Sequence, residues 1–170
     1  PDQLMLFGNK LEARAQAVRC DIPVLPGSDV LENSKELDAY IGKFPADTNF
    51  VLKAVYGGGG RGIRMVNSTK DTGSLFNQVR QEAFLSFSSK EIYVEEFSDS
   101  VRHIEVQVVG DGTGRVEHLG ERDCSLQRRH QKILELAPAP LLTENTRAQL
   151  WECAVRLAAA VKYKGVGTVE

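Results

Sequence analysis

Cysteine is scarce in this sequence and tryptophan nearly absent, with three of the former and one of the latter among 170 residues. Cys20, Cys124 and Cys153 are too few and too scattered for a disulfide framework or a zinc site. A reducing setting, the cytoplasm or the mitochondrial matrix, is therefore expected. An excess of charge of either sign is also missing. Lys and Arg number 21 against 23 Asp and Glu, and a net charge of −2 exerts no bulk pull on nucleic acid or anionic membranes. Neither is an expected partner. No apolar run approaches the ~20 residues of a membrane span, and the opening residues do not read as a signal peptide. Repeats and low-complexity tracts are absent as well. What remains, 42% hydrophobic and 26% charged, is an ordinary globular composition, long enough for one domain or two small lobes.

Hydrophobic periodicity divides the chain into a helical opening, a small α+β stretch, and a β-hairpin followed by a helix. Lys10 to Arg19 is built of good helix formers and is ended by Asp21-Ile22-Pro23. Ser34 begins a second helix. Asn49 to Tyr56 reads as a buried strand, Ile63 to Val66 as another, and Glu91 to Phe97 as a third. Asp71 to Phe87 spaces Leu75, Val79 and Phe84 at roughly helical intervals. From His103 the pattern alternates strictly: Ile104, Val106 and Val108 face one way, His103, Glu105 and Gln107 the other. Gly110-Asp111-Gly112 turns the chain and Val116 to Leu119 returns as the hairpin partner. Thr143 to Tyr163 is the longest helix, capped by Thr143, with Leu150, Ala154, Leu157 and Val161 as its stripe and Gly165 as its stop. The chain opens without Met and stops just after Val166-Gly167-Thr168-Val169, so a piece of a longer polypeptide is expected.

The run Gly57-Gly58-Gly59-Gly60-Arg61-Gly62 satisfies G-x-G-x-x-G, but it leads into the strand-like Ile63-Arg64-Met65-Val66. A dinucleotide-binding loop must open a helix, so that reading fails. A Walker A loop needs G-K-[ST] after its glycines, and a kinase loop needs its lysine downstream with H-R-D and D-F-G; none is present. A glycine hairpin between two strands remains, with Lys53 four residues before it. Backbone N–H groups free of Cβ atoms approach phosphate oxygens closely, and Lys53 adds a charge beside them. The competing reading is a floppy surface hairpin.

Glu121 to Lys132, ERDCSLQRRHQK, is the densest polar run. A solvated charged face is the plain reading, and a nucleic-acid patch around Arg128, Arg129, His130 and Lys132 is another. Against both, the run opens with acidic residues, and apolar segments feed into it and continue after it at Ile133, Leu134 and Leu136. Polar residues held between buried elements line a site.

The combination of KAVYGGGGRG, VEEF, RHIEVQ, ERDCSLQRRHQK, APAP and GVGTVE resembles biotin carboxylase, the ATP-grasp component of biotin-dependent carboxylases, from Gly8 to Glu170. Among the subfamilies, GNKLEARAQAV, KAVYGGGGRGIR and GTVE look most like pyruvate carboxylase, whereas APAP is equally at home in acyl-CoA carboxylases. The resemblance implies an α/β (α+β) ATP-grasp fold. Residues 1–25 would be a helical linker from a preceding Rossmann-like lobe, 26–97 the lid, and 98–170 the start of the larger C-terminal lobe.

The family makes carboxyphosphate from bicarbonate and ATP and then carboxylates biotin on a carrier, working with a carboxyltransferase domain or subunit in a homo-oligomeric parent. By match to its motifs, Lys10 and Lys53 contact ATP phosphates, and Gly58, Gly59, Gly60 and Gly62 form the lid over them. Glu95 stands beside adenine, with the backbone of Glu96 and Ser98 lining that pocket. His103, Gln127 and His130 lie around ribose and phosphates. Lys132 stands between the γ-phosphate and bicarbonate with Glu105 nearby, and Glu170 is the first of two glutamates that bind Mg²⁺ or Mn²⁺. Mg²⁺ prefers carboxylate and phosphate oxygens, which suits Glu170. Cys124 is read as structural, since carboxyphosphate chemistry needs no thiol; His118 is read as a surface residue and Trp151 as packing within its helix. Asn9 replaces the usual Asp, Glu96 a usual Lys or Arg, and Ser98 an apolar residue. The family's second metal glutamate, its catalytic arginine and its base on bicarbonate fall after Glu170, so the chain alone is not expected to turn over. Another ATP-grasp ligase, or a nucleotide-binding module without activity, is the alternative.

Overall fold

A computed structural model describes residues 2–57, 61–66, 71–128 and 131–170. The chain divides into two compact units, Leu4–Arg14 with Val24–Asp99, and Pro1–Gln3 with Ala15–Pro23 and Ser100–Glu170. Among the described residues no helix is long and apolar enough to cross a membrane.

Helices α1 (Asp2–Gly8) and α2 (Lys10–Arg19) open the chain. Asn9 caps α2, its Oδ1 accepting from the amides of Leu11 at 3.0 Å and Glu12 at 3.1 Å. The first unit continues through α3 (Ser34–Ile41), β1 (Phe50–Ala54), β2 (Ile63–Val66), α4 (Thr72–Phe87) and β3 (Ile92–Glu96). Asn33 caps α3 and Asp71 caps α4. The three strands form an antiparallel sheet in the order β2-β1-β3. Period-two alternation sorts its faces. Phe50, Leu52, Ala54, Ile92 and Val94 join Leu37, Phe76 and Val79 of the helices in one core. The intervening Lys53, Tyr93 and Glu95 turn to the other face, with Lys53 opposite Tyr93. Extended chain around Gly27 runs along β3, with Ser28 N donating to Val94 O at 2.8 Å.

In the second unit, β4 (Ile104–Asp111), β5 (Val116–Arg128), β6 (Gln131–Leu136), α5 (Glu144–Ala160) and β7 (Lys164–Val169) make an antiparallel sheet of order β6-β5-β4-β7 with α5 packed on one face. Val106 and Val108 meet Ala154 and Ala158 there. Thr143 caps α5, accepting from Thr146 N at 3.1 Å. Two expectations are corrected. The hairpin partner does not stop at Leu119 but continues as β5 through Arg128, so most of the polar run belongs to this strand. Nor is that run held between buried elements, because β6 is exposed along its length, Ile133 at 61%.

Strand register decides which polar side chains meet. Val106 of β4, on the α5 face, pairs with Glu121, and the neighbouring pair, Glu105 with Arg122, lies on the opposite face. Val106 also pairs with Val169, which brings Glu170 level with Glu105.

Candidate functional site

In the first unit the polar face of the sheet gathers Lys10, Arg14, Lys53 and Glu95. The amide of Lys10 donates to Val55 O at 3.1 Å, fixing the start of α2 against the end of β1. Its ammonium donates to Gly57 O. Lys53 pairs with Glu95 Oε2, and Arg14 Nη1 stands 3.3 Å from Glu95 Oε1. Burial lowers the Lys10 pKa, Lys53's charge adds to that, and Glu95 opposes both. Burial, then the charge of Glu95, hold the Tyr93 phenol well above its ordinary range. The result is a cation-rich patch with one shared carboxylate, suited to phosphate oxygens.

A Cβ at Gly27 would fall 2.7 Å from Arg14 Nη1 and displace that guanidinium from its place beside Glu95. Gly62 has a φ of +66°, and a Cβ would lie 2.8 Å from Ala54 Cβ. Glu96 is half-buried and its amide is committed to Pro26 O at 2.8 Å; Ser98 is exposed. Gly58, Gly59 and Gly60 lie outside the described residues, as does His130.

The second unit brings Glu105, His103, Gln127, Lys132 and Glu170 together. Glu105 is 1% exposed and donates nothing; it accepts from Lys132 at Oε2 and from Arg122 at Oε1. Burial alone would raise its carboxyl pKa, but the hydrogen bonds from Lys132 and Arg122 hold it below the usual carboxylate range. Lys132 shows the converse: burial lowers it, and the bond to Glu105 with the charge of Glu170 outweighs that, leaving it raised. Lys132 Nζ stands 3.4 Å from Glu170 Oε2. The same oxygen is 2.7 Å from His103 Nε2, off the direction in which that nitrogen would hydrogen-bond. Gln127 Nε2 donates to Cys124 O at 3.0 Å and lies 3.3 Å from His103 Nδ1.

Donor atoms of His103, Glu105 and Glu170 all lie within 4.8 Å of one another. Glu105 is already neutralised by two cations, so Glu170, about half exposed, is the carboxylate that fits a hard divalent ion. Cys124 is fully buried, and burial, then the charge of Glu105, push its thiol up, away from nucleophilic use. His118, partly exposed on the hairpin, is stacked on Trp151 at 4.3 Å between centroids, and Trp151 Nε1 reaches across to Glu121 Oε2 at 2.7 Å, so Trp151 packs beyond its own helix.

Three members of these clusters receive no role from the sequence, although Arg122 lies in the polar run and Gln107 on the polar face of its strand. Arg14, Arg122 and Gln107 acquire their partners only through strand register and helix placement, at separations of 15 to 81 residues.

A family profile described as "Carbamoyl-phosphate synthase L chain, ATP binding domain" matches residues 9–170. Pyruvate carboxylase of Bacillus subtilis is 44% identical over 172 residues, covering 99% of this chain and 15% of that protein. Biotin carboxylase of Campylobacter jejuni, solved as a β,γ-ATP complex, superposes with a TM-score of 0.89 at 42% identity, covering 95% of this chain and 36% of that one. The biotin carboxylase domain of Hydrogenobacter thermophilus 2-oxoglutarate carboxylase, solved with MgADP, ADP and bicarbonate, gives 0.91 at 35% identity, over 98% and 37%. The chain thus spans a small part of its curated relatives. It belongs to the family of carbamoyl-phosphate synthase L chain ATP-binding domains, and its fold is the ATP-grasp fold of the biotin carboxylases.

Proposed function

We propose that this chain supplies ATP-handling residues for ATP- and bicarbonate-dependent carboxylation of biotin, within a biotin-dependent carboxylase of the pyruvate carboxylase type. The observation that carries the reading is the second unit's cluster: a lysine held between a buried glutamate and an exposed one. Phosphoryl transfer asks little covalent chemistry of a protein and much positioning and charge neutralisation. Lys132, kept protonated by Glu105, offers a fixed cation for the γ-phosphate and bicarbonate. Lys10 and Lys53 are assigned to ATP phosphates, and Glu95 with the backbone of Glu96 and Ser98 to adenine. His103 and Gln127 are assigned to ribose and phosphate. Glu170 would hold Mg²⁺ or Mn²⁺, which supplies further charge neutralisation when bound.

Carboxyphosphate formed in this way carboxylates biotin, whose carrier and carboxyltransferase partners belong to the complete polypeptide or its assembly. The name of the matching family favours one second reading, an ATP-grasp ligase that forms carbamoyl phosphate. The two separate on the acceptor. ADP release that requires bicarbonate and is stimulated by biotin supports the first; release stimulated by ammonia or glutamine and indifferent to biotin supports the second.

A further inference from the structure

The side chain that ties the second unit's cluster together is Arg122, which takes no direct part in the proposed chemistry. Its Nε and Nη2 both donate to Glu105 Oε1, and Nη1 donates to Gln107 Oε1 at 2.6 Å. Nε also stands 3.3 Å from Glu135 on β6. Gln107 in turn donates through Nε2 to Gly167 O at 2.6 Å. One guanidinium on β5 is thus linked to β4, β6 and β7.

This arrangement fixes two orientations. A carboxylate has two oxygens, and with Arg122 occupying Oε1 the other is the one presented to Lys132. Glu105 is 1% exposed, so water does not substitute for a lost partner. Arg has donors and no acceptor, so it forces the Gln107 amide to turn its oxygen inward and its NH₂ toward Gly167. Gly167 lies on β7, three residues before Glu170, which directly follows the strand's last residue, Val169. Lysine could not replace this fork, because a point charge cannot engage Glu105 and Gln107 in fixed directions.

We infer that Arg122 is a positioning residue: through Glu105 it sets the place of the Lys132 ammonium, and through Gln107 that of the Glu170 carboxylate, without touching a reacting atom. Its catalytic consequence rests on the proposed function; its structural consequence rests on the hydrogen bonds alone.

The test uses the complete native polypeptide with Arg122→Gln, Arg122→Lys, Glu105→Gln and the Arg122→Gln/Glu105→Gln double variant. Two quantities are measured: kcat and KM for Mg-ATP in bicarbonate-dependent ADP release, and deuterium uptake by peptides 131–136 and 164–170. Arg122→Gln lowers kcat on the order of 100-fold, as an ångström-scale misplacement does, with KM for Mg-ATP within about twofold. Arg122→Lys stays within about tenfold of Arg122→Gln. The double variant falls within about twofold of the worse single one, because Arg122 acts through Glu105. Uptake rises in both peptides. An unchanged kcat, or fully additive losses in the double variant, overturns the catalytic inference. If the wild-type polypeptide releases no ADP in a bicarbonate-dependent way, the proposed reaction fails, and exchange still decides the positioning: faster uptake upholds it, unchanged uptake overturns it. Should Arg122→Gln not fold, Gln107→Leu severs only the β7 link and must speed uptake in 164–170 alone.

Discussion

Glu121 offers the sharpest quantitative test of how the second unit holds its site. Its side chain is fully buried on the α5 face of the sheet, back to back with Arg122. It accepts from Arg147, from Trp151 Nε1 at 2.7 Å and from Ala139 N at 3.1 Å, joining β5, α5 and the segment before α5. Replacing it with alanine leaves a mostly buried guanidinium without its buried counter-charge, the exposed Glu144 alone remaining at 3.7 Å, and two N–H groups without an acceptor. Breaking a buried pair from one side costs about 3–5 kcal/mol. For a chain of this size each kcal/mol moves Tm by about 2–4 °C, so Glu121→Ala should lower Tm by about 6–20 °C. Glu121→Gln keeps an acceptor and should lose about 1.5–3 kcal/mol, the charged share of the bonds. The double replacement Glu121→Leu/Arg147→Met removes both charges and should recover more than half of the alanine loss. The assay is thermal unfolding followed by fluorescence of Trp151, the chain's single tryptophan and a member of the network. A loss under about 1 kcal/mol for Glu121→Ala, below the ordinary cost of one orphaned buried group, would refute the reasoning. So would a double variant no better than Glu121→Ala.

Other groups set further outcomes. Glu105 is held below the usual carboxylate range and Asp123, bonded to Ser125 and Arg102, at about 2. A depressed carboxyl stabilises the fold above its unfolded pKa, near ~4, and that contribution is lost as pH falls through the folded value. The urea midpoint of the second unit should therefore drop between about pH 4 and pH 2, less steeply in Glu105→Gln; a flat midpoint contradicts this. Cys124, buried with a raised thiol pKa, should react with Ellman's reagent only after unfolding, and Cys124→Ala in the complete polypeptide should keep ATP cleavage within about tenfold. Rapid labelling of Cys124 in the folded protein would restore the nucleophile reading. Lys53→Ala removes one cation from the first unit's patch and should weaken Mg-ATP binding by about tenfold or more; calorimetry showing undiminished affinity would remove Lys53 from the phosphate site.

Much of the fold was legible in the sequence because local signals coincide with tertiary ones. Thr143 and Asp71 sit where caps are needed, and the stripe Ala154, Leu157 of α5 is the face that packs. Strand β5 was not legible beyond Leu119, for a physical reason. Both of its faces carry charge, Glu121 toward α5 and Arg122 toward Glu105, so the alternation that marks a half-buried strand is missing. Bulges between Asp123 and Leu126, and between Leu126 and Gln127, blur the period further. Helix α1 escaped notice because seven residues carry too little periodicity to distinguish. Family motifs nominated Lys10, Lys53, Glu95, Glu105 and Lys132, and the structure places each of these beside an opposite charge or a carbonyl. Arg122 and Gln107 stood out as polar residues, but their partners, and the part played by Arg14, emerge only from strand register and helix placement.

The most direct test of the functional reading supplies ¹⁴C-bicarbonate, Mg-ATP and free biotin to the complete native polypeptide, and tracks label and ADP together. Label on biotin with stoichiometric ADP, both lost in Lys132→Ala, is the predicted result. ADP release that needs ammonia instead, or label that never reaches biotin, would contradict it.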